Sequence, residues 1–181
     1  GADVAVLVEA VGPQPLKPED YPDRMYRWLE QTAPFNRDQY ERPMTDYAHV
    51  ERRLARRYER LPQHVLRRIA RIATKRDEQG LLHWKYDPLH RTSSPMPGLP
   101  SITSAYLSNV KCPVLWIGGK ESPFLRPDLF AWLAECKTMQ QRILPGIGHM
   151  VHTEGAGPLA IELKAFLDNE AMRKDATWPQ R

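Results

Sequence analysis

Residues 141–152 read Gln-Arg-Ile-Leu-Pro-Gly-Ile-Gly-His-Met-Val-His, and this stretch is central to the expected fold and function of the chain. Its first four residues have the pattern of a short strand, and residues 157–169 have helical spacing. His149 is therefore expected on a loop that leaves a strand and enters a helix, a place where catalytic side chains are often carried. An imidazole titrates near neutral pH, so His149 is a candidate general base. A structural or merely solvated histidine is the alternative.

Composition places the chain among folded proteins. Of its 181 residues 41% are hydrophobic, which is enough for one domain or for a domain with an inserted subdomain. The chain has only two cysteines, Cys112 and Cys136, which are too few to indicate a disulfide framework. A reducing compartment is therefore expected. No apolar run approaches the roughly 20 residues needed to span a bilayer, and residues 1–4 lack a signal pattern. We therefore expect a cytoplasmic protein.

The positive charge is concentrated in one block. Residues 51–76 contain nine Arg and one Lys against two Glu, although the whole chain carries only +4. Such a block can attract nucleic acid, but it is more often the solvated face of helices. Nucleic-acid binding is therefore not expected.

Three short segments have the character of strands. They lie at residues 4–8, 112–117 and 141–144, and the first two are rich in residues suited to a strand covered on both faces. The last two alternate with helical patterns at residues 128–136 and 157–169, which indicates an α/β fold. We expect a core from residues 1–12 and 111–170, an all-helical insertion at 13–110, and a tail at 171–181 that is frayed from residue 173.

The insertion is expected to contain three main helices. Residues 19–32 form the first, and Thr45 is the predicted cap of the second. The third begins at Pro62 and ends at Gly80, with Val65, Ile69 and Ile72 facing inward. Residues 81–87 are expected to be irregular or extended.

The order of these pieces resembles the C-terminal part of an α/β-hydrolase with its helical cap. The resemblance is carried by a strand that ends in Glu-Ala-Val-Gly-Pro at residues 9–13, by Cys-Pro-Val-Leu-Trp-Ile-Gly-Gly at 112–119, and by Pro-Gly-Ile-Gly-His-Met at 145–150. It extends to residue 169. It implies an esterase-like hydrolase that acts on an apolar ester or a similar small acyl substrate.

The family's nucleophile motif is absent from this sequence. In that family the nucleophile lies in a Gly-x-Ser-x-Gly elbow, followed in chain order by the acid and the histidine. No Gly-x-Ser-x-Gly sequence occurs in the 181 residues. The resemblance thus implies that a serine or aspartate nucleophile lies outside this chain, and that the partner is the missing N-terminal part of the fold or a second copy.

The resemblance offers two positions for the acid. Many family members have an aspartate at the position of Ser122, where a hydroxyl cannot stabilise an imidazolium as a carboxylate does. Haloalkane-dehalogenase-like members instead have a glutamate just before the cap, which corresponds to Glu9. Independently of the family, a carboxylate at the carboxyl end of a buried strand lies where open α/β sheets bind ligands, and it needs a partner such as His149. Glu9 is the expected acid and Glu121 the alternative.

The remaining candidates are weaker. His149 and His152 have the spacing of a metal pair, but two imidazoles alone are poor ligands, so neither a metal nor a cofactor is expected. An aromatic set in the insertion could line a substrate pocket, although ordinary packing is the commoner reason for such a set. Its members are Trp28, Tyr47, Trp84 and Tyr86. The rival function is a non-catalytic module whose exposed strand at residues 4–8 pairs with a partner.

Overall fold

The computed structural model describes residues 2–9, 17–33, 42–92, 94–95 and 99–177. The chain divides into two compact units. The sheet unit comprises Gly1–Gln14 and Gly98–Arg181, and the helical unit comprises Pro15–Pro97. The second boundary thus falls at Gly98, and not at residue 111 as expected from the sequence pattern.

The secondary structure alternates only in the sheet unit. In chain order the elements are β1 (Ala5–Val8), α1 (Tyr21–Thr32), α2 (Tyr47–Arg57), α3 (Gln63–Ala73), β2 (Thr74–Arg76), β3 (Leu82–Trp84), α4 (Pro100–Ser108), β4 (Val114–Gly119), α5 (Pro127–Leu133), β5 (Met139–Leu144), α6 (Val151–Glu154) and α7 (Ala156–Thr177). Two 3-10 turns, Pro18–Asp20 and Pro88–Arg91, complete them. None of the helices in the described ranges is long and apolar enough to cross a membrane.

The sheet unit is built on a parallel sheet with strand order β1-β4-β5. Every residue of the central strand β4 is buried. Leu115 and Ile117 pack on one face in a cluster that includes Phe166 of α7, whereas Trp116 packs on the other face with Leu129 of α5. Helices therefore cover both faces, as parallel strands require, and the α/β prediction is confirmed.

Strand β1 is less buried than its sequence suggested. Its four residues are all half-buried, because β1 is an edge strand that pairs with β4 on one side only among the described residues. The prediction of a strand at this place is confirmed. The prediction of full burial is wrong, since it assumed neighbours on both sides.

The last helix is longer than predicted. Helix α7 continues to Thr177, so the prediction of a tail frayed from residue 173 is wrong for residues 173–177. Residues 170–177 contain neither proline nor glycine and consist largely of good helix formers, which explains the continuation. The rest of the tail lies outside the described residues.

The helical unit has its own core, and α3 faces it differently from the prediction. Leu66 and Ala70 are the buried residues of α3, while Ile72 is 59% exposed. The predicted inward stripe was displaced by about one position, because Val65 and Ile69 lie at its margin and not at its centre. The buried cluster comprises Met44, Val50, Leu54, Leu61, Leu66, Ala70 and Leu82.

A hairpin interrupts the helical unit, which is therefore not all-helical. Helix α3 ends at Ala73, well before Gly80, and β2 pairs with β3 in antiparallel register. Asp77 closes the turn by accepting hydrogen bonds from the backbone N–H groups of Gln79 and Leu81 and from Nε2 of His83 at 2.6 Å. Burial raises the pKa of Asp77, but the hydrogen bonds from His83 and Leu81 outweigh it and hold the pKa below its usual value.

Several arginines of the basic block rest on aromatic rings of the helical unit. The guanidinium groups of Arg71 and Arg76 lie 5.4 and 5.3 Å from the centre of the Tyr47 ring. Arg53 lies 5.8 Å from the centre of the Trp84 ring. These cation–π contacts give part of the positive charge a role within the unit's own surface.

Asp46, and not Thr45, caps helix α2. The Oδ1 atom of Asp46 accepts the backbone N–H of His49 at 2.7 Å, and the Asp46 backbone is extended, as a cap requires. That hydrogen bond lowers the pKa of Asp46. Thr45 only donates to the Asp46 carboxylate, at 3.3 Å. The register of the helix start decided between the two neighbouring residues.

We expect Asp46→Ala to lower the melting temperature of the helical unit near neutral pH. Because the pKa of Asp46 is depressed in the folded protein, its contribution is present above the ordinary aspartate pKa of about 3.9 and is lost as the pH falls through the folded pKa. Thermal unfolding followed by circular dichroism should show a difference from wild type at neutral pH that narrows in acid. Thr45→Ala is the control and should change the melting temperature less. A difference that persists undiminished in acid would contradict the capping role.

Candidate active site

Glu9 is held in an unusual backbone conformation at the end of β1. Its φ of 54° is the single positive value among the described non-glycine residues. A side chain in this region costs about 1–3 kcal/mol and persists only when the surroundings impose it. Its N–H nevertheless donates to the carbonyl of Ile117 at 2.9 Å, which continues the ladder with β4. The sheet therefore fixes the backbone from which the carboxylate extends.

Three donors converge on the Glu9 carboxylate, whose side chain is only 5% exposed. The backbone N–H of Gly119 donates to Oε1 at 2.6 Å. The Ser122 hydroxyl and Nδ1 of His149 both contact Oε2, at 2.7 and 2.9 Å. A buried carboxylate with this many donors is compensated as an anion.

The geometry assigns the proton of the neutral His149 ring. An ionised carboxylate can only accept hydrogen bonds, so Nδ1 carries the hydrogen in its contact with Glu9. The other nitrogen, Nε2, then has a free lone pair and can accept a proton. The His149 side chain is 43% exposed, and its ring packs against Phe124 with centroids 4.6 Å apart. An oriented, partly exposed imidazole of this kind can act as a general base.

The loop around His149 is held on both sides of the histidine. The Glu154 carboxylate accepts the N–H of Gly148 at 2.8 Å and that of Met150 at 3.3 Å. The N–H of Glu121 donates to the carbonyl of Ile147 at 2.9 Å, which joins the loop to the end of β4. The histidine is thus presented by a loop with fixed ends.

Of the two predicted acids, Glu9 is the one that contacts His149. The side chain of Glu121 is exposed, and the residue contributes to the site through its backbone N–H. The contact of Glu9 with His149 joins residues 140 positions apart in the chain. The catalytic roles of Glu9 and His149 stay predictions.

Ser122 belongs to the site, although no catalytic or binding role was predicted for it. The residue is 7% exposed, and its hydroxyl contacts the acid and not the base. A nucleophile must reach the proton-accepting nitrogen of the histidine, so this geometry does not suit Ser122 as the nucleophile. Its position three residues after Gly119, where the resemblance placed an acid, was the signal that could have identified it.

The predicted pocket residues all belong to the helical unit. Trp84 and Tyr86 stack with ring centroids 5.7 Å apart. Tyr47 and Trp84 pack against the buried cluster of that unit, and Trp28 is half-buried on α1. These contacts describe packing within the unit, and a role as pocket lining stays a prediction.

His152 is exposed on α6. Within the ranges that the structure covers, no group of three histidine, cysteine, aspartate or glutamate side chains is arranged to hold a metal ion.

Comparison by sequence finds no relative. No protein-family model matches the chain, and no curated protein matches it.

Comparison with solved structures finds several hydrolases of similar fold. The thioesterase domain from the curacin biosynthetic pathway is 22% identical with a TM-score of 0.67, and the match covers 87% of this chain and 56% of that one. E-2-(acetamidomethylene)succinate hydrolase is 17% identical with a TM-score of 0.67, and the match covers 92% of this chain and 57% of that one. The peroxisomal alpha-beta-hydrolase Lpx1 from Saccharomyces cerevisiae is 14% identical with a TM-score of 0.64, and the match covers 99% of this chain and 49% of that one.

These likenesses concern the fold. The chain spans about half the length of the structures that it matches, and its parallel sheet with flanking helices corresponds to their common architecture. The chain therefore has the α/β-hydrolase fold, of which it contains the C-terminal portion.

Proposed function

We propose that this chain supplies the acid and the base of a hydrolytic triad, Glu9 and His149, and that the triad cleaves an ester or a similar small acyl substrate. The observation that carries the proposal is the 2.9 Å contact between Oε2 of Glu9 and Nδ1 of His149. Ion pairs and histidine–carboxylate contacts are common on protein surfaces. This contact joins a partly exposed imidazole to a buried carboxylate, and the residue that carries the carboxylate has a strained backbone.

The proposed chemistry follows from the assigned tautomer. Nε2 of His149 accepts the proton of a nucleophilic hydroxyl as its oxygen attacks the acyl carbon, and Glu9 stabilises the imidazolium that forms. The imidazolium then gives the proton to the leaving alkoxide. In the second half-reaction Nε2 takes a proton from water as the water oxygen attacks the acyl carbon. The bond from that carbon to the nucleophile's oxygen then breaks, the acid leaves, and the imidazolium returns its proton to the nucleophile's oxygen. With an aspartate nucleophile, His149 would activate the water of the second half-reaction only.

The nucleophile is proposed to come from a segment outside this chain. The sequence has no Gly-x-Ser-x-Gly elbow, and Ser122 contacts the acid. Parallel strands of the fold that carry an elbow would continue the sheet beyond β1, whose outer edge no described strand occupies. The proposed partner is accordingly the N-terminal part of the fold.

The test is ester turnover by the protein in which this chain is combined with its nucleophile. With 4-nitrophenyl butyrate as substrate, we expect His149→Ala to lower kcat by about three orders of magnitude or more, because the base is removed. His152→Ala is the matched control, since His152 is an exposed imidazole three residues away, and it should retain full turnover. Equal turnover by wild type and His149→Ala would refute the proposal.

A second candidate function rests on the outer edge of β1, which no strand of the described ranges covers. An edge strand presents unpaired N–H and C=O groups that can pair with another chain, so the chain could act as a non-catalytic module that binds a second copy of itself. Size-exclusion chromatography of the chain, combined with the ester assay, separates the two functions. A stable dimer without turnover in any preparation would favour the second.

A further inference from the structure

We propose that Ser122 is a positioning residue whose hydroxyl holds Oε2 of Glu9 where that atom accepts a hydrogen bond from His149. This role deepens the proposed function and rests on it. Ser122 itself contacts the acid at 2.7 Å and acts on the base through that acid.

Hydrogen bonds are needed to fix the carboxylate of a glutamate side chain. Its terminal torsion is broad, so the carboxylate plane is set by hydrogen bonds and not by the rotamer alone. Gly119 fixes only Oε1, through a single backbone N–H. On Oε2 the Ser122 hydroxyl is the donor besides His149 itself, so it can hold this oxygen in place independently of the imidazole.

The exposure of the partners shows why this donor matters. The His149 side chain is 43% exposed, whereas that of Glu9 is 5% exposed. If the carboxylate turned away, water could bond to Nδ1 of the partly exposed ring, and no acceptor would then favour a hydrogen on that nitrogen. Ser122 is buried, so its hydrogen bond to Oε2 is shielded from competing water.

Ser122 also reaches the other neighbour of the histidine. Its Oγ accepts the N–H of Phe124 at 3.3 Å, and the ring of Phe124 packs against the ring of His149. The Ser122 hydroxyl therefore donates a hydrogen bond to Glu9 and accepts one from the backbone N–H of Phe124. This arrangement links the positions of both groups that orient the imidazole.

The first measurement uses the chain as it is and needs no nucleophile. Nitrogen-15 NMR of the labelled histidines at about pH 8, where a free imidazole is neutral, distinguishes the Nδ1–H from the Nε2–H tautomer. We expect wild-type His149 to be in the Nδ1–H form and Ser122→Ala to shift it toward a mixture. Ser122→Thr, which keeps the hydroxyl, should restore the wild-type signal. Ser108→Ala is the control, because the Ser108 hydroxyl donates to a backbone carbonyl within the exposed end of α4.

The second measurement is kinetic and uses the protein that contains the nucleophile. We expect Ser122→Ala to lower kcat by about 10- to 100-fold, the size of one hydrogen bond to a charged group, with KM unchanged. A Ser122 that only stabilises the fold would lower the melting temperature without this kcat effect. Recovery of kcat in Ser122→Thr supports the hydroxyl as the cause.

The outcomes separate the role of Ser122 from the function on which it rests. A wild-type His149 without the Nδ1–H tautomer means that the dyad does not form, and both the function and the role of Ser122 are overturned. A wild-type Nδ1–H tautomer that persists in Ser122→Ala, with unchanged kcat, overturns the role of Ser122 and leaves the dyad intact. Loss of the tautomer in Ser122→Ala but not in Ser108→Ala supports the positioning role.

Discussion

Replacing Glu9 by glutamine should lower kcat by about three to four orders of magnitude, because the substitution reverses the tautomer of His149. The carboxylate offers two oxygens to three donors, from Gly119, Ser122 and His149. An amide has one acceptor oxygen, and its NH2 group can only donate. If that group faces His149, then Nδ1 becomes the acceptor and Nε2 carries the hydrogen, so it cannot take a proton from a nucleophile.

The matched control is Glu121→Gln. It makes the same chemical change on an exposed side chain whose contribution to the site is its backbone N–H, which the substitution preserves. Steady-state kinetics with 4-nitrophenyl butyrate, in the protein that contains the nucleophile, should show near wild-type turnover for Glu121→Gln. Loss of turnover in Glu121→Gln together with full activity in Glu9→Gln would reverse the assignment of the acid.

The second large effect is expected from Gly119→Ala. A Cβ atom on Gly119 would overlap the backbone carbonyl oxygens of Ile147 and Gly148, so the loop that carries His149 has to move. The same residue donates the N–H that holds Oε1 of Glu9. A displacement of about 1 Å at a catalytic group can cost about 100-fold in rate, and overpacking of this kind costs about 1–3 kcal/mol of stability. We expect losses of these sizes in kcat and in the free energy of unfolding.

Gly157→Ala is the control for that substitution. Gly157 lies in α7 and its φ is not positive. Apart from its chain neighbours and the nearby backbone of its own helix, a Cβ atom added to it would meet nothing within 4 Å. Alanine there should leave kcat unchanged and should be neutral or stabilising, by up to roughly 1 kcal/mol. Denaturant unfolding and ester turnover measured on both variants provide the comparison. Wild-type kcat in Gly119→Ala would show that the loop tolerates the methyl group and that the close approach is not needed for the site.

The pairing of Glu9 with His149 could be anticipated because both residues follow parallel strands. The carboxyl ends of such strands meet at one edge of a sheet, and a buried carboxylate requires a partner there. The part played by Ser122 could not be anticipated in the same way. Its hydroxyl reaches Glu9 across 113 residues, and that distance depends on the parallel register of β1 with β4 and on the turn after Gly119.

The helical unit shows where local patterns were insufficient. Strands β2 and β3 have three residues each, too few to display alternation, and their pairing depends on Asp77 accepting two backbone N–H groups in the turn. The inward face of α3 was misplaced because Val65 and Leu66 are both apolar and adjacent. Contact with the buried Met44 and Leu82 cluster, and not the period of α3, decided which of them is central.

Residue patterns were enough to predict the α/β class and the three parallel strands, and together with the family resemblance they predicted the two residues of the candidate dyad. Short apolar runs, glycine-ended strands and a histidine loop are local features, and each carries its own physical meaning. The strained backbone of Glu9, the three donors on its carboxylate and the close approach of Gly119 to the histidine loop became visible only in the tertiary structure. These arise because the sheet brings distant strand ends within hydrogen-bonding distance, and a hydrogen bond depends on tenths of an ångström that no residue pattern specifies.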